Sequence, residues 1–180
     1  MTDPSEAPIN ETTGMTAEPG AVPDSTPGFT AVTVAALQGA GRMVATDWES
    51  ETFDVLPRGD NDAAVSGVIL HSSKSVAFYA VWDEFVPSDK RTAVGEWSVR
   101  ANTDLSTCTI EFSLDSGILA IRSVVTVGAL SIGTPGEDIP VESLAISRAA
   151  FAVMLSAAVD DAVATFTRLQ GPVAELIGAR

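Results

Sequence analysis

The chain has 180 residues, 46% of them apolar, the size and composition of one globular domain able to bury a core. Its formal net charge is −14 and its ten Lys and Arg are scattered without a basic stripe, so phosphate backbones are repelled and nucleic acid is excluded as a partner. One cysteine, Cys108, rules out an internal disulfide, and nothing points to an oxidising compartment.

The first residues, Met1-Thr2-Asp3-Pro4-Ser5-Glu6, lack the basic and apolar regions of a signal peptide. The longest apolar run, residues 149–159, is about half of a membrane span. These features predict a soluble cytoplasmic protein without membrane contact. Residues 1–27 are rich in Pro, Glu, Thr, Gly and Ser and hold no Lys or Arg, which predicts a disordered acidic tail ahead of a single domain over 28–180.

Apolar spacing at Val34, Leu37, Ala40 and Val44 predicts a short helix over 33–43, weakened by Gly39 and Gly41. Phe53-Asp54-Val55-Leu56 reads as a first strand ended by Pro57. Residues 58–62 form a turn-rich loop. Its Arg-Gly-Asp is an adhesion motif only outside a cell, and its acidic run lacks the glycine and glutamate of a calcium loop. Residues 65–70 and 76–82 read as two strands joined by the polar connection 71–75. Asp83 to Pro87 breaks the second strand. Ser88 stands where an N-cap belongs, and 89–101 has helical spacing through Ala93, Val94, Trp97 and Ala101.

Asn102 ends that helix, as a C-cap that tolerates left-handed backbone. A hairpin follows around Asp115-Ser116-Gly117, with Cys108, Ile110, Phe112 and Leu114 on one face of its first arm. After a loop at 133–140, a long helix is expected from residue 142 or 143 to 169, stopped by Gly171-Pro172, and then a final turn over 173–177. The fold class predicted is α+β, an antiparallel sheet of about five strands packed by helices. The long helix is apolar nearly all round, which predicts burial on more than one side and a homodimer.

No catalytic apparatus is visible. His71 is the sole histidine and lies in a polar connection, far in sequence from Cys108, with no nucleophile motif nearby. One Cys and one His cannot by themselves form a zinc site, and no glycine-rich phosphate loop occurs. Neither a cofactor nor a metal is therefore expected. The carboxylate pairs Asp83-Glu84, Glu137-Asp138 and Asp160-Asp161 read as solvated groups, Cys108 as a small inert hydrophobe, and the tryptophans as core or interface anchors.

Several segments together resemble the YbjN-type family. They are Phe78-Tyr79-Ala80-Val81-Trp82, the Val86-Pro87 break, the helix ending Arg100-Ala101-Asn102, and the hairpin with Ile110-Glu111-Phe112 and Gly117-Ile118-Leu119-Ala120-Ile121-Arg122. The resemblance implies a fold like that of type III secretion chaperones, with a long C-terminal helix, and the label of a bacterial sensory transduction regulator. It carries no catalytic residues. The chain departs from the family pattern at Thr107 and Cys108, where a glycine often precedes the Phe-Glu pair, and this limits any transfer of partner identity.

The function expected is protein binding, as a chaperone-like or regulatory adaptor, with client contacts at Trp82, Phe85, Trp97, Phe151, Met154 and Leu155. An acidic surface favours cationic clients. Two rivals stand beside this reading. One is a small-molecule sensor or enzyme with a pocket near His71 or Asp160-Asp161; the other is a structural subunit that only dimerises.

Overall fold

The computed structural model describes residues 28–59, 63–128, 131–133 and 145–178. The first element is helix α1, Phe29–Gly39, which carries no charged residue and buries Ala31, Val34 and Leu37. It begins and ends four residues earlier than its spacing predicts. Gly41 takes a left-handed backbone (φ 78°), and the N–H groups of Gly41 and Arg42 return to the carbonyls of Gln38 and Leu37 at 2.9 and 3.0 Å. These are the paired bonds of a glycine-terminated helix, so the glycines that weaken the helix also end it.

Six strands follow in one sheet: β1 Val44–Asp47, β2 Thr52–Val55, β3 Val65–Leu70, β4 Ser75–Val81, β5 Cys108–Phe112 and β6 Leu119–Thr126. Their order is β1-β2-β3-β4-β6-β5, with every neighbouring pair antiparallel. The strand beyond the five expected is β1, whose four residues are too short to show alternation and whose first residue continues the helical spacing of α1. The β3–β4 connection is a single 3-10 turn over His71–Ser73, closed by Lys74 in left-handed backbone.

Register places Phe53, Gly67, Phe78, Ser123 and Cys108 in one row across the inner face. Phe53 and Phe78 meet edge to face, with centroids 6.1 Å apart, over Gly67 between them. A Cβ at Gly67 would lie 2.2 Å from the Phe53 ring. Gly67→Ala is therefore expected to displace Phe53 and cost about 1–3 kcal/mol, read from urea unfolding. The opposite face carries Leu70, Val81 and Val124, each partly exposed, and stays open among the described residues.

Helix α2, Arg91–Asn102, packs along the β5 edge. Ser88 is not its N-cap. The helix is preceded by a turn in which the Lys90 N–H bonds the Pro87 carbonyl at 2.9 Å, and no side chain caps it. Arg91 instead reaches out of the first turn. Its guanidinium donates to the carbonyls of Val86 (3.3 Å), Leu114 (2.9 Å), Asp115 (2.6 Å) and Ser116 (3.3 Å), clamping the β5–β6 turn to the loop ahead of α2. Gly117, at φ 78°, closes that turn where a Cβ would meet the Val86 carbonyl oxygen at 2.7 Å.

The role expected for Asn102 changes. The residue after it, Thr103, is right-handed, so no left-handed cap forms. The Asn102 side chain instead donates Nδ2 to the Ile110 carbonyl (3.1 Å) and accepts the Ile110 N–H on Oδ1 (2.7 Å). Its amide thus pairs with the edge strand as a neighbouring strand would, which blocks the edge to other chains.

Two short parallel strands, β7 Ser131–Gly133 and β8 Ala145–Ser147, lead into helix α3, Arg148–Ile177. Ser147 caps α3 by accepting the Ala150 N–H at 3.1 Å. The expected start at 142 or 143 lies outside the described residues, but 145–147, also expected as helix, form β8, so the helix starts later than expected, at Arg148. The expected stop at Gly171-Pro172 does not occur, because the helix continues through Pro172 to a left-handed Gly178. An internal proline costs roughly 3 kcal/mol. Burial of Val173 and packing of Leu176 and Ile177 against the core offset that cost.

α3 lies across β4 and β6, with α1 beside it. Phe151 and Leu155 are fully buried there, and Phe29 of α1 meets the Phe151 ring at 5.9 Å. By length and composition α3 could cross a membrane; 39% of its most apolar stretch is buried within the protein.

Candidate functional site

β4 runs out at Val81. The Trp82 N–H still bonds the Leu119 carbonyl (3.1 Å), which keeps the Trp82 side chain on the inner face beyond the end of the strand. There it stacks on Phe166 of α3, with centroids 4.4 Å apart and planes tilted by 38°. From Phe166 onward α3 presents Gln170, Val173, Ala174 and Ile177, a stripe of helical period. Trp82 and this stripe enclose a groove of about 350 Å³, with Asp83 and Glu84 at its rim. Phe85 follows at 67% exposure.

The groove has an apolar floor of Trp82, Phe166, Val173 and Ile177 and a rim of exposed carboxylates. Asp83 and Glu84 have no ion-pair partner among the described residues. The nearest cation in sequence past Lys90 is Arg91, which is committed to its carbonyls. In a chain of net charge −14, such a rim attracts a cation while the floor takes up apolar surface.

Of the six contact residues expected from sequence, the structure brings Trp82 to this groove; Phe85 follows the rim residues in sequence and is exposed but is not part of the groove's lining. Phe151 and Leu155 have no exposed surface and cannot touch a client; both are core, because α1 and the sheet cover that side of α3. Met154 is 40% exposed but lies three helical turns from Phe166, roughly 18 Å along the axis. Trp97 is half-buried on α2 against the core. Sequence reasoning missed Val173 and Ile177, since Gly171-Pro172 was expected to end the helix, and missed Phe166, which lies within the expected helix, since nothing local pairs it with Trp82. The spacing 166, 169, 173, 176 continues the apolar period past the proline and was the available signal.

The polar residues singled out by type are tied up elsewhere. His71 Nε2 lies 2.6 Å from Glu51 Oε2, and Glu51 Oε1 accepts from Thr30 Oγ1 at 3.0 Å. Glu51 itself holds left-handed backbone (φ 53°) at the β1–β2 turn, so its side chain ties three segments together. Asp160 pairs with the buried Arg42 at 2.5 Å, and Arg42 also donates to the Ser156 carbonyl at 3.2 Å. Cys108 is buried. Among the described residues no three His, Cys, Asp or Glu side chains converge on a possible metal position.

The hydrogen bond from His71, then that from Thr30, holds the Glu51 carboxyl below its ordinary value of 4.5. The folded state thus favours the ionised form. The stability this contributes is complete above pH 4.5 and is lost as pH falls through the lowered folded value. Thermal melts from about pH 6 to 3 are expected to show a smaller acid-induced loss in Glu51→Gln than in the unmodified chain. Equal losses would show that the Glu51 contacts contribute nothing.

Comparison of the chain with known family models, with curated proteins and with solved structures found no match in any of the three.

Proposed function

We propose that this chain is a non-enzymatic protein-binding domain of the cytoplasm, a chaperone-like or regulatory adaptor whose Trp82 groove takes an apolar, positively charged segment of a client. The observation that carries this reading is the groove's combination of aromatic floor and unpaired carboxylate rim. Apolar side chains of the client would cover Trp82 and Phe166, and a Lys or Arg would reach Asp83 and Glu84, with its stem lying along the apolar wall. The exposed Phe85 adds apolar surface beside the groove. The likeness of its motifs to the YbjN-type family supports the same class of function. The exposed outer side of α3, with Val153 at 68%, supports a homodimer as the assembled form.

The test is a titration of the full chain with a synthetic peptide of interspersed Leu and Lys, followed by tryptophan emission and calorimetry. Binding is expected to weaken with added salt and to fall at least tenfold in an Asp83→Lys, Glu84→Lys variant. Affinity unchanged in that variant would remove the groove from the interaction. A second reading is favoured by the groove's volume, which lies within the range of small-molecule sites. An organic cation would then bind as tightly as the peptide, and lengthening the peptide would add nothing.

A further inference from the structure

We infer that a pocket between the α2–β5 loop and α3 is a binding site for a free α-amino acid, a ligand that carries an ammonium and a carboxylate on one carbon. The pocket is open to solvent and holds about 250 Å³. That is less than the roughly 300–1,000 Å³ of most ligand clefts, so its occupant is small. Asp104, Ser106 and Thr107 line it from the loop, and Thr165 and Arg168 line it from α3. On the helix, positions 164, 165 and 168 lie on the side opposite 166, 170 and 173, so this pocket is separate from the Trp82 groove.

The loop wall is held in place by the fold. Past the end of α2, the N–H groups of Asp104 and Leu105 bond the carbonyls of Ala101 and Asn102 at 3.1 and 3.3 Å. The Asn102 amide fastens the start of the loop to Ile110, and the Ser123 hydroxyl donates to the Thr107 carbonyl at its end, at 3.3 Å. Asp104 and Arg168 are exposed, and neither pairs with the other or with any other charge among the described residues. Thr165 is only 9% exposed, and its hydroxyl forms no hydrogen bond among the described residues. Thr33 of α1, by contrast, returns its hydroxyl to the Phe29 carbonyl at 2.8 Å, the usual recourse of a helical threonine. The Thr165 hydroxyl is left for water or a ligand to satisfy.

These groups select the ligand by exclusion. A bare anion held by Arg168 meets the Asp104 carboxylate, and a bare cation held by Asp104 meets the Arg168 guanidinium. A neutral sugar leaves both charges unused. An α-amino acid satisfies the two together: its ammonium donates to Asp104 and its carboxylate accepts from Arg168, both as charge-assisted bonds. The hydroxyls of Thr165 and Ser106 then serve the remaining carboxylate oxygen and a small polar side chain. A residue inside a peptide has neither charged group, and a chain terminus has only one. Once occupied, the pocket joins the α2–β5 loop to the helix that forms one wall of the Trp82 groove.

The experiment titrates the full chain with each standard L-amino acid in turn, followed by calorimetry and by the amide NMR signals of residues 103–107 and 164–168. At least one amino acid is expected to bind and to shift those signals. Its N-acetyl and α-amide forms, each lacking one charge, are expected to bind roughly tenfold more weakly or worse. Asp104→Asn and Arg168→Gln alter exposed side chains outside the core and are expected to weaken binding by a similar factor. Thr165→Val keeps the shape of the buried side chain and is expected to weaken binding severalfold. The inference is overturned if no amino acid binds, if the shifts fall elsewhere, or if Asp104→Asn and Arg168→Gln leave the affinity unchanged. It is also overturned if the N-acetyl form binds as tightly as the free amino acid, which would make this an anion site of Arg168 alone.

Discussion

Phe151→Ala is expected to lower the stability of the protein by about 3–5 kcal/mol, a large part of the roughly 5–15 kcal/mol that holds a domain folded. The ring has no exposed surface, and it fills the junction where α1, α3 and the sheet meet, against Phe29 at 5.9 Å. Its removal leaves a cavity that the two helices cannot close without moving against the sheet. Leu155→Ala, one turn further along α3, is expected to cost about 2–5 kcal/mol for the same reason. The contrast is with Phe85→Ala. That ring is 67% exposed, and its loss is expected to change stability by no more than about 0.5 kcal/mol. Peptide binding at the Trp82 groove should respond in the opposite order, weakening in Phe85→Ala. Urea unfolding of the three variants separates the roles. A stable Phe151→Ala would return Phe151 to the contact surface and refute the packing described above.

Asn102→Ala is expected to cost about 2 kcal/mol and to make the protein prone to self-association. The side-chain amide satisfies both backbone groups of Ile110 on the open side of β5, at 3.1 and 2.7 Å. Alanine returns those groups to the solvent as a template for another strand. Asn102→Asp tests the geometry further. It keeps the acceptor for the Ile110 N–H but sets a carboxylate against the Ile110 carbonyl, so it is expected to be at least as damaging. Urea midpoints together with light scattering over concentration provide the check. If Asn102→Ala stays monodisperse at the unmodified oligomeric state with an unchanged midpoint, the edge is protected by α2 as a whole and not by this amide.

How far these features could be read beforehand depends on the range of the interactions behind them. The β3–β4 and β5–β6 hairpins were legible, because alternation and the Asp115-Ser116-Gly117 turn are local signals. The α+β class and the long last helix were legible from the same patterns. β1 was not, since Val44 extends the spacing of α1 and only its pairing with Val55 makes it a strand. The passage of α3 through Pro172 was not, because local propensity argues for a stop and tertiary burial of Val173 overrides it. The same error hid part of the candidate site. Trp82 stood out as an aromatic at a strand end, but Val173 and Ile177, which line the groove with it, come from a stretch of helix beyond the expected stop. The clamp by Arg91 was not legible, since three of its four carbonyl partners lie 23 to 25 residues away.

The strand order has a kinetic consequence. In β1-β2-β3-β4-β6-β5 each strand neighbours its predecessor in sequence, except where β6 meets β4. The meander β1 to β4 and the hairpin β5–β6 can each zip up over short loops, at small entropic cost. Joining them requires residues 75–81 to find 120–126 across an excursion that contains α2, the one long closure in the sheet. The folding barrier is therefore placed at that seam. Ala80 and Ile121, which face each other across it, are expected to show transition-state contacts when Ile121→Val is followed by stopped-flow refolding, whereas Val44→Ala at the far edge should mainly speed unfolding.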